Sequence, residues 1–330
     1  MFNFKLLINQ KFTRFENAVK KTLAVTIISI ISTSSYAATS YPLKITTQNG
    51  SAIIKNKPQR IVVLEFGLMD ELNLLGVKPV GYGQNYPGEG DIPDYLKPMA
   101  KNAVGVGARD IPNLEAIAKL KPDLILGEAA YISNLSPQLN KIAPTVLLNG
   151  IYGNSDEQIK NLKILAQITD TESKVPAILN NYQQIKNNAE TIAKKGGQKT
   201  VLIGYVTPAG VFKALTANAL ATSILAELNR KNVIKKTERT QVMDLSTEAI
   251  LEYNPDQIIV LLTEGSMAPY KKLSTDPLWA DVRANRQHQV YFMDRDIWAR
   301  SHGIETLEIM YNRAISSGFL TAKPTTNSNK

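Results

Sequence analysis

Two glutamates and two arginines are the residues of this chain whose placement calls for a chemical reason. Glu115 lies in LEAIAKLKPDLIL (114–126) and Glu248 in TEAILEYNPDQII (247–259). Each begins Glu-Ala-Ile, and each reaches a Pro-Asp-x-Ile corner seven positions later (Pro122 and Pro255), 133 residues apart. A carboxylate in the first turn of a helix is favoured by the positive end of the helix dipole, which accounts for either glutamate taken alone. Matched positions in two repeats mean something more: one carboxylate on the equivalent outer surface of each of two lobes, where a single partner could grip both. Arg109 and Arg300 offer permanently charged, planar forks of donors, the groups that answer oxygen-rich anions. Other chemistries lack their parts. There is no Gly-x-Ser-x-Gly elbow and no Walker loop, and Gly81-Tyr-Gly83 and Gly105-Val-Gly107 lack the third glycine of a dinucleotide fingerprint. The only histidines are His288 and His302, neither in the first half, and there is no cysteine. Direct zinc or manganese coordination needs clustered His and carboxylates, so it is disfavoured. A hydrolase working with carboxylates alone is the enzyme alternative, but the chain reads as a binder.

The elements that must position these residues alternate strand and helix. Arg60–Phe66 is a short apolar run bounded by Pro58 and Gly67, suited to a buried parallel strand. Leu68–Leu75 has helical spacing and ends at Gly76, a natural C-cap. Val77–Gly81, Leu124–Leu126 and Thr145–Leu148 read as further strands. The second half repeats the scheme, with strands at Thr200–Val206, Gln257–Leu262 and Gln289–Phe292 and a helix over Asn218–Leu228. This alternation predicts an α/β fold of two βα lobes with mostly parallel sheets. Between them, Ser155 (N-cap) and Gln158 resemble a capping box opening a long polar helical stretch. It is broken near Thr169-Asp170, has a potential kink at Pro176, and is closed by Gly196-Gly197. A single helix over 172–195 would be about 36 Å long, enough to run behind both lobes as a backbone and limit their hinging. The organisation expected is a signal peptide at 1–37, an N-terminal lobe at 38–154, a linking helical segment at 155–197 and a C-terminal lobe at 198–330.

The N-terminus carries Lys20-Lys21, an apolar run Leu23–Ile31 and Ser35-Tyr36-Ala37, the layout of a cleavable secretory signal too short to span a bilayer. An uncleaved anchor is the alternative. Residues 1–37 hold five Lys/Arg and one Glu, so removing that net +4 leaves +5 of the formal +9. A mild positive excess suits an acidic small ligand, and the lack of a dense basic tract with aromatics argues against nucleic acid. Export without a lipidation cysteine points to a periplasm. The tail Thr325–Lys330 is expected to be disordered.

Five segments in order, PQRIVVLEF (58–66), LLGVKPVG (74–81), VGARDIPNLEAIAKLKPDLI (106–125), DPLW (276–279) and IWARSHG (297–303), resemble the periplasmic iron–siderophore binding proteins of ABC transporters. The likeness is to the ferric-citrate and ferric-hydroxamate branch of the helix-linked, two-lobed class, and runs from about Pro58 to Phe319. It implies capture of an iron(III)–siderophore chelate without a cofactor, delivery to an inner-membrane ABC permease, and a monomer. In that family the paired lobe glutamates meet permease arginines, which implies the same for Glu115 and Glu248. A haem or cobalamin binder of the same architecture is the alternative, since two cleft arginines would also suit haem propionates.

Ligands of open α/β sheets bind outside the carboxyl ends of the strands, which here face each other across a cleft. Glu65, Phe66, Arg109, Tyr131, Tyr205 and Ile297–Ser301 follow strands or lie in adjoining loops, and Tyr86 is a further candidate. The resemblance assigns Arg109 to the iron-bound ligand, Tyr131 to an aromatic pocket wall, and Trp298 and Arg300 to the second lobe's side. Arginine at position 300, where the hydroxamate branch has an aromatic, favours an anionic, carboxylate-bearing chelate; the hydroxamate branch's tryptophan near Gln241 is missing. Blander roles are open for each. Arg109 could pair with Asp110 or Glu128, Tyr131 could be a solvated loop aromatic, Trp298 plain core, Arg300 with His302 an exposed loop, and Glu65 a strand-end carboxylate.

Overall fold

The computed structural model describes residues 39–47, 50–86, 91–151, 154–235 and 241–322. The secretory segment expected at 1–37 and the tail at 325–330 lie outside the described residues.

An antiparallel hairpin, β1 (Leu43–Thr47) and β2 (Gly50–Ile54), precedes the first lobe. That lobe's sheet starts in its middle with β3 (Ile61–Val63), which leads into helix α1 (Phe66–Leu74). β4 (Gly81–Gln84) and β5 (Val104–Ala108) extend one side. Helix α2 (Leu114–Lys119) then returns the chain to β6 (Leu124–Glu128) and β7 (Thr145–Leu148) on the other. The order is β5-β4-β3-β6-β7 and every pairing is parallel. The winding reverses between β3 and β6, which opens a crevice at their carboxyl ends.

Two helices follow, α3 (Ser155–Thr169) and α4 (Val175–Lys195). The N-cap of α3 is Asn154, not Ser155: its side chain accepts from the N–H groups of Asp156 (3.1 Å) and Glu157 (3.2 Å). Ser155 is thereby free to donate to Glu227 (3.0 Å), and Gln158 to the carbonyl of Gly150 (2.9 Å). The break at Thr169-Asp170 is present, with Asp170 in the left-handed region at φ 53°. Pro176 causes no kink because it sits in the first turn of α4, where its missing N–H has no helical acceptor to lose. At 21 residues α4 is about 32 Å long.

The second lobe contains β8 (Lys199–Val206), β9 (Phe212–Leu215), helix α5 (Leu220–Glu227), β10 (Arg230–Asn232) and β11 (Val242–Leu245). Helix α6 (Thr247–Tyr253), β12 (Gln257–Leu262), β13 (Val290–Asp294) and helix α7 (Ile304–Ser316) complete it. Its sheet has the order β11-β9-β8-β12-β13 with β10 beside β8. The parallel pattern is only partial. β8 turns back through Thr207–Val211 into β9, and β11 also pairs antiparallel, a hairpin whose Pro-Ala-Gly turn the strand-by-strand reading passed over. Two other expectations shift. Glu65 and Phe66 leave the strand because the Glu65 side chain caps the N–H groups of Gly67 and Leu68, starting α1 at once. The strand placed at Val77–Gly81 is β4, displaced to Gly81–Gln84, and the glycine pair at 105 and 107 belongs to edge strand β5.

The duplicated segment folds as one corner twice. Asn113 and Ser246, 133 residues apart, cap α2 and α6 through Ala116 N–H (3.0 Å) and Ala249 N–H (3.3 Å). Lys121 (φ 46°) and Asn254 (φ 44°) both turn left-handed before the proline. Asp123 then accepts the N–H groups of Gln59 (2.8 Å) and Arg60 (2.9 Å), at the start of β3. Asp256 accepts from the N–H and hydroxyl of Thr200 (2.8 Å each) in β8 and from Arg283 (2.9 Å). One apolar core runs through both lobes, from Ile61 and Val63 of β3 through Leu162, Tyr182 and Leu307 to Ile203 and Ile259 of the second sheet.

Candidate ligand-binding site

The first wall is built around Arg109, in the loop after β5. Its Nη1 lies 3.0 Å from Glu65 Oε1, and its guanidinium lies over the Phe66 ring, 4.0 Å from the centroid, with Tyr131 at 5.7 Å. Glu65 and Phe66 are 2% and 1% exposed and lie beneath the arginine, which they orient. Burial alone would raise the Glu65 carboxyl, but His302 and the Arg109 charge, with the Gly67 N–H, hold it below its ordinary value. His302 Nδ1 stands 3.8 Å from Glu65 Oε1, near enough to act through charge but too far for a hydrogen bond.

Glu128, at the end of β6, faces the opposite influence. Burial first, and the neighbouring Glu65 charge second, push its carboxyl up to about 7. The N–H groups of Ala130 (3.3 Å), Gly150 (2.7 Å) and Ile151 (3.3 Å) moderate that rise. Arg109 therefore pairs with Glu65, not with Asp110 or Glu128. Asp110 instead accepts the Tyr86 hydroxyl. Tyr86 is 47% exposed and stands beside the arginine loop, outside the cavity described next.

The second lobe supplies a cavity of about 100 Å³ whose wall includes Tyr205, Gln241, Arg295, Trp298, Arg300 and His302. The segment Asp296–Arg300 is a π-turn, with Ser301 N–H reaching the Asp296 carbonyl at 2.8 Å, an i→i+5 bond of the kind that recurs at functional sites. That turn sets Trp298 and Arg300 in one wall and lets Arg300 Nη1 donate to Asp296 Oδ1 (2.8 Å). Trp298 belongs to the main core as well, and its buried Nε1 has no protein partner. Arg295 stacks on Tyr205, its Cζ 3.7 Å from the ring centroid, and its Nη1 donates to Thr263 (3.3 Å). Arg295 was passed over in the sequence, although it stands in the same DRDIWAR run; nothing in its spacing sets it apart from a loop cation.

Two hydrogen bonds join the walls. Arg109 Nη1 donates to the Arg300 carbonyl (3.2 Å), and Gln241 Nε2 donates to the Ile151 carbonyl (2.8 Å). Behind them the lobes meet at Asp70 of α1. Its carboxylate accepts the N–H groups of Glu305 (2.9 Å) and Thr306 (2.7 Å), capping α7. Glycines permit the approach: a Cβ on Gly67 would stand 2.1 Å from the His302 carbonyl oxygen, and one on Gly303 (φ 136°) 2.6 Å from the Asp70 carboxyl. The site thus gathers three guanidinium groups, at 109, 295 and 300, against the carboxylates of Glu65 and Asp296, with Tyr131, Tyr205 and Trp298 as aromatic walls. Glu115 and Glu248 stand elsewhere, exposed in the first turns of α2 and α6, Glu115 in an ion pair with Lys119 (2.8 Å).

Two lobes joined by a long helix, with charged and aromatic groups at the carboxyl ends of their strands, define a binding protein rather than an enzyme. Residues 61–297 match the periplasmic binding protein family, and the chain belongs to that family. Among curated relatives, the Fe(3+)-citrate-binding protein YfmC of Bacillus subtilis is 31% identical over 268 residues, covering 79% of this chain and 81% of that one. The Fe(3+) dicitrate-binding periplasmic protein FecB of Escherichia coli is 29% identical over 265 residues, 79% of this chain and 85% of that one. The fold is shared with Staphylococcus aureus SirA in complex with staphyloferrin B (TM-score 0.69, 24% identity, 83% of this chain and 97% of that one).

Proposed function

We propose that this protein captures an anionic, citrate-type ferric chelate in the periplasm and delivers it to an inner-membrane ABC permease for iron uptake. The observation that carries the reading is the set of arginines 109, 295 and 300 gathered with Tyr131, Tyr205 and Trp298 where the two lobes face each other. Iron held by carboxylates presents surplus negative oxygens on a compact body, and guanidinium groups match those oxygens in charge and geometry. Tyr131, Tyr205 and Trp298 cover its less polar faces. The ligand names of YfmC and FecB support the same class. Residues 1–37 serve as the secretory signal, 38–154 and 198–330 as the two lobes about the 155–197 helical link, and the protein works as a monomer without a cofactor. Glu115 and Glu248 dock the loaded protein on the permease.

Trp298 is one of only two tryptophans and the one in the cavity wall, so ferric citrate binding should quench its fluorescence saturably. Arg109→Ala or Arg300→Ala should weaken that binding by about 10- to 100-fold, the cost of a charge-assisted contact, with the far-ultraviolet circular dichroism unchanged. Quenching by haem or cobalamin alone would overturn the ligand class.

A further inference from the structure

Gln241 occupies two places at once. It lines the second-lobe cavity, and its Nε2 donates across the cleft to the Ile151 carbonyl of the first lobe at 2.8 Å. Its own backbone is fixed, because Thr216 N–H donates to the Gln241 carbonyl (2.8 Å). The acceptor is fixed more firmly. Glu128 accepts the N–H groups of Gly150 and Ile151, Gln158 donates to the Gly150 carbonyl, and Asn161 donates to the Asn149 carbonyl (2.8 Å). Ile151 is 2% exposed. Residues 149–151, which follow β7, are thus held firmly by side chains of β6 and α3, and the Gln241 amide of the second lobe reaches over to them.

We propose that Gln241 is an interlobe latch, a positioning residue that holds the second lobe over the bound ligand and so sets how long the ligand stays. The latch rests on the cavity being the ligand site as read above, but the bond itself joins the lobes whatever the ligand is. A side-chain amide donating to a buried carbonyl is lost cleanly in Gln241→Met, which keeps length and apolar stem and removes the donor. Dissociation must open the latch, so loss of the donor should raise the off-rate; because the latch also joins the lobes of the ligand-free protein, its loss should not slow association.

The test uses the full mature protein. The absence of native cysteine allows spin labels at Lys101→Cys in the first lobe and Asp281→Cys in the second, both exposed positions. Ligand-free Gln241→Met should show a broader interlobe distance distribution than the parent. With ferric citrate as the probe, its off-rate should rise about 3- to 10-fold with the on-rate not lowered, the effect of one hydrogen bond. An unchanged distance distribution overturns the latch, even if the off-rate rises, because Gln241 then acts only by touching the ligand. A parent protein that does not bind ferric citrate overturns the ligand reading instead, and the ligand-free distances still decide the latch.

Discussion

At the scale of single residues, the site is shaped by buried neighbours. Arg109 is aimed by a buried counter-ion and a ring beneath it, so the arginine that the sequence singles out depends on Glu65 and Phe66 for its orientation. Two carboxyls at the ends of adjacent strands are driven apart, Glu65 downward by Arg109 and His302 against the effect of burial, Glu128 upward to about 7 by burial and by Glu65. The linkage follows from the signs. A carboxyl whose folded value is raised contributes stability that is complete below its unfolded value near 4.5 and is lost as the pH rises through about 7. Glu128→Gln should therefore flatten the decline in stability between pH 5 and pH 8, a difference of at most about 3 kcal/mol. Urea unfolding of parent and variant at those two pH values reads it directly, and parallel curves would show that Glu128 ionises as freely in the fold as outside it.

At the scale of elements, the duplicated corner is held by its aspartates. Each Pro-Asp turn presents a carboxylate to the first strand of its own sheet, Asp123 to the N–H groups of Gln59 and Arg60, and Asp256 to Thr200 and Arg283. Asp123→Ala and Asp256→Ala should each lower stability by about 1–2 kcal/mol, Asp256→Ala by the larger amount because it also strands Arg283. The two effects should add, since they lie in different lobes; urea midpoints of the two single variants and the double variant test this. The corner was legible because its caps, its left-handed residue and its Pro-Asp turn are local signals repeated at one spacing. β6, β7, β8 and β12 were legible as apolar runs between punctuation. What escaped depends on pairing and on local competition. β9 lies between β8, to which a short hairpin joins it, and the edge strand β11, and Glu65 left its strand because a cap outcompeted the sheet for its backbone. Arg109 and Arg300 could be picked out, but Arg295 and the Gln241 contact could not, since each acquires its meaning only from Tyr205 or Ile151 across the fold.

At the scale of the molecule, the surfaces proposed for capture and for docking are separate. The arginines face inward between the lobes, while Glu115 and Glu248 are exposed at matched helix starts. Charge reversal at both, Glu115→Lys with Glu248→Lys, should leave ferric citrate affinity within about twofold and abolish iron uptake by cells dependent on this protein, as expected when attraction to a cationic partner becomes repulsion. Uptake at the parental rate would remove the docking role from this pair. An apolar cluster running from the first sheet through α3, α4 and α7 into the second ties the lobes together at the back, while each lobe keeps a smaller cluster on the other face of its sheet. The same continuity has a consequence for how the chain is made and lost. Pulling the two halves apart would bare the apolar face that each presents to α3, α4 and α7, so melting of one half is felt by the other, and a ligand held between them would raise the stability of both.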